Sequence, residues 1–220
     1  MTELILMLTI DDKTIENAIE VFEEIKDTGV KNFGFKDIGL PFEKLKVLAK
    51  NIKECGHKIF FEIVSATEKE TITSVNRALE LNVDYIIGGK YVDIVQKEID
   101  GHNVDYFPYA GEIVGHPCLL QGSITDIISE TQTYIKKGVG GINILAYRYN
   151  QNPEELITAL RKELNKPIII AGSVNSEQRV NFLKNNKIDF FTVGTAIFEK
   201  DFVKNGSYSQ QIEKLLSFLK

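Results

Sequence analysis

The chain is poor in the residues that staple small folds or hold metals. Two cysteines, Cys55 and Cys118, and three histidines among 220 residues form neither a disulfide framework nor the paired spacing of a zinc site, so both thiols are expected to be free. Long apolar runs are missing too. The first, Leu4 to Ile10, is stopped by Asp11-Asp12 far short of a membrane span, and no basic leader precedes it. A cytoplasmic protein without membrane contact is the expectation. Nor is there an excess of basic residues: 26 Lys and Arg face 31 Asp and Glu, for a net charge of -5. With the two signs interspersed, no basic face for nucleic acid is expected, and any bound anion must be held locally. Internal repeats, low-complexity tracts and an early Gly-rich dinucleotide fingerprint are all absent.

What is present is a rhythm. A hydrophobic content of 43% with 26% charge fits one soluble domain, residues 1–220. Strand-like apolar runs at 4–8, 32–36, 58–64, 84–88, 117–121, 141–146, 167–171 and 190–194 alternate with amphipathic helical runs. The helical runs lie near 14–28, 42–55, 68–82, 91–99, 124–137, 153–164, 176–186 and 207–219, with starting signals at Thr14, Pro41 and Asn152-Pro153. Eight strands, each followed by a helix, predict an α/β fold of the (β/α)8 barrel type, with a doubly wound open sheet as the competing architecture. Asp105 to Gly115 interrupts the rhythm. Because Pro108 lacks a donor and damages a central strand, residues 100–116 are assigned to a loop insertion ahead of a fifth strand at 117–121.

In a closed barrel, side chains alternate between the interior and the helix layer, and activity collects at the C-terminal ends of the strands. Placing Phe33 and Phe35 outward turns Gly34 and Lys36 inward; placing Ile59, Phe61 and Ile63 outward leaves Phe60, Glu62 and Val64 inside. Lys36 and Glu62 thus face one cavity from neighbouring strands and form the candidate catalytic pair. The lysine could act as a cation beside an enolate oxygen or as a Schiff-base nucleophile, and the glutamate could move a proton. An internal salt bridge is the plainer alternative.

Further candidates stand at strand ends. Asp37 follows Lys36 and could take a substrate hydroxyl, although an Asp ahead of Gly39 also forms turns. Lys90 follows Gly88-Gly89 and suits a phosphate or carboxylate. Tyr147 shares a face with Asn143 and Leu145, and Arg148 beyond it is a candidate carboxylate or phosphate clamp, unless it pairs with Glu154 or Glu155. Gln121 could bind sugar hydroxyls, while Ser123 reads more readily as a helix cap. His116, His57 and His102 precede strands or lie in connections, which favours structural roles. No metal and no cofactor is expected.

The last third carries the most specific signal. Gly172-Ser173 and Gly194-Thr195 each follow an apolar run and precede a helical one. Small residues there let the backbone approach an anion, and free N–H groups turn toward it. The two turns together predict a phosphate cradle, with the Ser173 and Thr195 hydroxyls supplementing the backbone donors.

Ala171-Gly172-Ser173 and Val193-Gly194-Thr195-Ala196-Ile197-Phe198 resemble the closing motifs of the ribulose-phosphate-binding barrels, which include sugar-phosphate epimerases, isomerases of the indole and histidine pathways and keto-deoxy-phosphogluconate aldolases. The close motif match covers about the last quarter of the chain. The resemblance implies a small phosphorylated metabolite as ligand and a lyase of aldolase type or an isomerase of epimerase type. No member's catalytic set transfers intact. The aldolases place their lysine on the sixth strand, where Asn143, Leu145 and Tyr147 stand here, and the metal-dependent epimerases carry His and Asp ligands that this chain lacks. Two alternatives stay open: a noncatalytic metabolite-binding barrel, expected if Tyr106, Phe107 and Tyr109 fill the rim, and a flavin- or nucleotide-binding oxidoreductase. Barrels often self-associate, which leaves a homo-oligomer as an expectation.

Overall fold

The structure is a computed structural model that describes residues 1–65, 67–115 and 118–220. His116 and Pro117, and with them the start of the expected fifth strand, lie outside the described residues. Eight parallel strands form the central sheet: β1 (Glu3–Met7), β2 (Asn32–Lys36), β3 (Lys58–Ile63), β4 (Tyr85–Gly88), β5 (Asp105–Phe107), β6 (Ile142–Ile144), β7 (Ile168–Ile170) and β8 (Phe190–Val193). Their order runs β6-β7-β8-β1-β2-β3-β4-β5. The two ends meet where Tyr109 bridges Asn143 in parallel. There the Asn143 N–H donates to Pro108 O at 2.9 Å and the Gly140 N–H to Tyr106 O at 3.0 Å. The result is a (β/α)8 barrel.

Helices α1 (Ala18–Ile25), α2 (Phe42–Glu54), α3 (Glu68–Glu80), α4 (Val92–Glu98), α5 (Ile124–Lys136), α6 (Pro153–Glu163), α7 (Glu177–Asn185), α8 (Thr195–Phe198) and α9 (Tyr208–Ser217) connect the strands. Local chemistry fixes several starts. Thr67 and Glu70 form a reciprocal capping box on α3, Ser123 and Ser176 cap α5 and α7, and Asn152 caps α6 with Pro153 in its first turn. Thr14 does not open a helix. It lies in a short antiparallel hairpin, Thr9–Ile10 against Lys13–Thr14, whose turn residues Asp11 and Asp12 both have positive φ, 48° and 59°. Two left-handed residues in a row are what a two-residue type I′ turn requires. Thr14 Oγ1 accepts from Lys36 N–H and donates to Lys36 O, each at 2.9 Å, so the hydroxyl fastens this hairpin to the end of β2 instead of capping α1.

The fifth barrel strand is Asp105–Phe107, earlier than the sequence reading placed it. Pro108 does no damage because pairing continues around it, with the Tyr109 N–H donating to Gly89 O at 3.2 Å and Pro108 offering its carbonyl to the Asn143 N–H; a missing donor matters only where the ladder needs one. The insertion accordingly follows β5 and does not precede it. Leu119–Gln121, read as that strand, pairs antiparallel with Glu112–Val114 in a separate two-stranded hairpin.

Two apolar layers result. Phe33, Phe35, Ile59, Phe61, Ile142 and Ile144 pack outward under the helices. Ile5, Met7, Phe60, Ile87, Phe107 and Ile169 fill the interior. Phe60 stacks on Tyr85 with centroids 4.2 Å apart, and Phe190 and Phe107 close on the same rings at 5.6 and 5.9 Å. This aromatic plug closes the barrel below and leaves the C-terminal end of the strands open.

Candidate active site

A cavity of about 450 Å³ opens at that end. Its wall takes Met7, Thr9, Asp11 and Asp12 from β1 and the hairpin, Lys36 from β2, Glu62 from β3 and Tyr109 from beyond β5. Leu145 and Arg148 follow β6, Ala171 to Asn175 follow β7, and Thr192 to Ala196 end β8, with Glu199 and Asp201 beyond. The two glycine turns and the lysine–glutamate pair therefore share one space.

Lys36 and Glu62 are direct register partners on β2 and β3, 7% and 6% exposed. Lys36 Nζ lies 3.1 Å from Glu62 Oε1 and 3.0 Å from Asp12 Oδ1. On the other side of the glutamate, Tyr109 OH donates to Glu62 Oε1 at 2.7 Å. Burial opposes the lysine's charge, but the carboxylates of Glu62 and Asp12 outweigh it and hold the amine above its ordinary 10.5. The sign follows: an amine whose folded value lies above 10.5 stays protonated through neutral pH and sheds its proton only beyond that value. Burial, and then Glu62, push the Tyr109 phenol well above 10, so it remains a donor to the glutamate. The floor is thus a chain of alternating charge and hydrogen bond: Asp12, Lys36, Glu62, Tyr109.

The opposite wall is made of backbone. Gly172 and Ser173 have φ of 76° and 57°, and the N–H groups of Gly172 through Asn175 find no acceptor among the described residues. A Cβ at Gly172 would stand 2.9 Å from Arg148 Nε, so the arginine side chain passes close beneath the turn. Arg148 accordingly enters the cavity, and among the described residues it makes no ion pair with Glu154 or Glu155. At the neighbouring turn, a Cβ on Gly194 would meet the Thr9 carbonyl and hydroxyl at 3.0 Å.

Four other sequence candidates are not gathered here. Asp37 turns away from the cavity and accepts from Ser74 Oγ, from Ser65 Oγ at 3.4 Å and from Val64 N–H at 3.4 Å, tying β2 to β3 and α3. Burial raises its carboxyl above 3.8, against the hydrogen bonds from Ser74, Val64 and Ser65. Lys90 is exposed beyond β4, Gln121 belongs to the separate hairpin, and the Tyr147 ring lies under the Arg179 guanidinium at 4.7 Å. Asp12 is absent from the sequence candidates, and Tyr109 stands among them only as a rim filler, not as the partner of Glu62. For Asp12 the signal was the Asp-Asp pair at the end of β1, a two-residue turn; for Tyr109 it was the strand that Pro108 concealed.

Fold and site together define a (β/α)8 barrel with a charged cluster at its C-terminal rim. The chain is similar to orotidine 5'-phosphate decarboxylase from Pyrococcus horikoshii OT3, with 14% identity, 98% of each chain covered and a TM-score of 0.72. It is likewise similar to orotidine 5'-phosphate decarboxylase from Lactobacillus acidophilus, with 11% identity, 99% of each chain and a TM-score of 0.69. Phosphoribosylanthranilate isomerase from Thermotoga maritima aligns over 100% of this chain and 98% of its own, at 10% identity and a TM-score of 0.66. No family model and no curated protein sequence matches the chain. Similarity at these identities shows the fold.

Proposed function

We propose that the chain is an enzyme acting on a small phosphorylated sugar or keto acid, by proton transfer or carbon–carbon cleavage beside a carbonyl. The observation that carries this reading is the union, in one cavity, of unbonded backbone N–H groups at Gly172–Asn175 with a protonated Lys36 and its carboxylate partners. Gly172, Ser173, Gly194 and Thr195, with Arg148, would hold the phosphate. Lys36 would place its positive charge where an enolate or other carbanion develops, and Glu62, oriented by Tyr109, would move the proton. The structural neighbours support this reading, since a decarboxylase and an isomerase of phosphorylated compounds are among them.

Within this reading the electrostatics favour the enolate route over the Schiff-base route. An amine that attacks a carbonyl must first be neutral, whereas Asp12 and Glu62 hold Lys36 charged. The cavity also weighs against a noncatalytic barrel with a filled rim. Tyr106 packs in the outer layer and Phe107 in the barrel floor, which leaves only Tyr109 of that trio at the cavity.

The test combines binding with trapping. Ribose 5-phosphate at about 100 times its Kd is expected to raise Tm by about 5–10 °C over ribose alone. Borohydride added with carbonyl-bearing sugar phosphates is expected to leave no reduced lysine adduct by mass spectrometry. A Tm indifferent to every phosphorylated sugar and keto acid would end the phosphate reading, and an adduct on Lys36 would replace the enolate route by a Schiff base.

A further inference from the structure

Ser173 keeps a left-handed backbone, φ 57°, without being glycine, and such a residue persists only when its surroundings hold it. What holds it is Arg179, in the first turn of α7. One guanidinium nitrogen, Nη1, donates both to the Ser173 carbonyl and, at 3.0 Å, to Asn175 Oδ1. The guanidinium lies over the Tyr147 ring, whose hydroxyl donates to the Arg179 carbonyl at 3.4 Å. Tyr147 adjoins Arg148, the side chain that passes beneath Gly172. The turns after β6 and β7 are thus interlocked twice, through Tyr147 on Arg179 and through Arg148 under Gly172.

In a planar trans peptide, C=O and N–H point in opposite directions. Arg179 draws the Ser173 carbonyl to itself, so the N–H of the same peptide, that of Val174, faces the other side, and Val174 lines the cavity. Arg179 is not itself part of the cavity wall. We infer that Arg179 is a positioning residue for the anion turn: it fixes the Ser173–Val174 peptide with its N–H toward a phosphate monoester and does not touch that phosphate. The inference rests on the phosphate reading of Gly172–Asn175 and adds to it the residue that prepares the turn.

Glycine at 173 adopts a positive φ without help, which makes the role testable by a double-mutant cycle. Dissociation constants for ribose 5-phosphate are measured by calorimetry for the wild type, Arg179→Ala, Ser173→Gly and the double variant. Arg179→Ala is expected to weaken binding about tenfold in the wild-type background and less than about twofold in the Ser173→Gly background, a coupling of the size seen for residues in one network. Arg179→Lys, which keeps the charge but loses the planar fork and the stacking, is expected to bind as poorly as Arg179→Ala. Equal losses in both backgrounds, full recovery by lysine, or a lowered Tm with an unchanged Kd would each overturn the inference and leave the phosphate reading intact. A wild type that binds neither ribose 5-phosphate nor any other phosphorylated sugar or keto acid would bring both down.

Discussion

Asn143 is fully buried on β6, and among the described residues neither its Oδ1 nor its Nδ2 has a hydrogen-bond partner. Its neighbours Ile142 and Ile144 pack outward, so the amide projects into the barrel, beside Tyr109 across the seam and next to Leu145 in the wall. Leaving such groups unpaired costs more than removing them. Asn143→Leu, which keeps the branching and removes both polar atoms, is expected to stabilise the unliganded protein by about 1 kcal/mol in urea denaturation. A loss of that size would show the amide to be satisfied. The same alternation that turns Asn143 inward made Lys36 and Glu62 legible in the sequence, since a period of two needs only the outward phenylalanines and isoleucines to set its phase. Asp12 was not legible in this way. It reaches Lys36 through a left-handed turn, and contact across a turn has no periodicity to betray it.

At the scale of elements, the eightfold alternation of strand and helix could be read from the chain, and seven of the eight strands stand close to their expected places. The fifth lies outside its expected place because Pro108 falls beyond the residues that pair with β4, which are only Asp105–Phe107. The displaced expectation also leaves Tyr109 a rim filler and conceals its bond to Glu62. The glycine turns were legible because they depend on residue type alone, and their geometry can be tested directly. Gly172→Ala adds a Cβ 2.9 Å from Arg148 Nε at a φ of 76°. It is expected to cost about 1–2 kcal/mol of stability and at least tenfold in ribose 5-phosphate affinity, read by denaturation and calorimetry, as the arginine is displaced and the turn strained. Unchanged affinity would remove the turn from the binding site.

For the molecule as a whole, charge and site pull in different directions. The net charge is -5, and the cavity wall carries Asp11, Asp12, Glu62, Glu199 and Asp201 against Lys36 and Arg148. Lys36 is already engaged by two of those carboxylates, so the field that an approaching phosphate meets is repulsive. On the proposed function, its attraction would come late and at short range, from the Gly172–Asn175 amides and Arg148. Salt screens the first effect more than the second, because the screening length falls from about 30 Å at 0.01 M to about 8 Å at 0.15 M while contacts at hydrogen-bond distance are little affected. The association rate of ribose 5-phosphate, measured by stopped flow, is therefore expected to rise about two- to threefold over that range, opposite to the fall shown by proteins that steer anions with a positive surface. Replacing Glu199 and Asp201 by their amides is expected to raise the rate at low salt and flatten its dependence. A rate that falls with salt in the unaltered protein would mean that Arg148 and the backbone dipoles dominate the field beyond the rim.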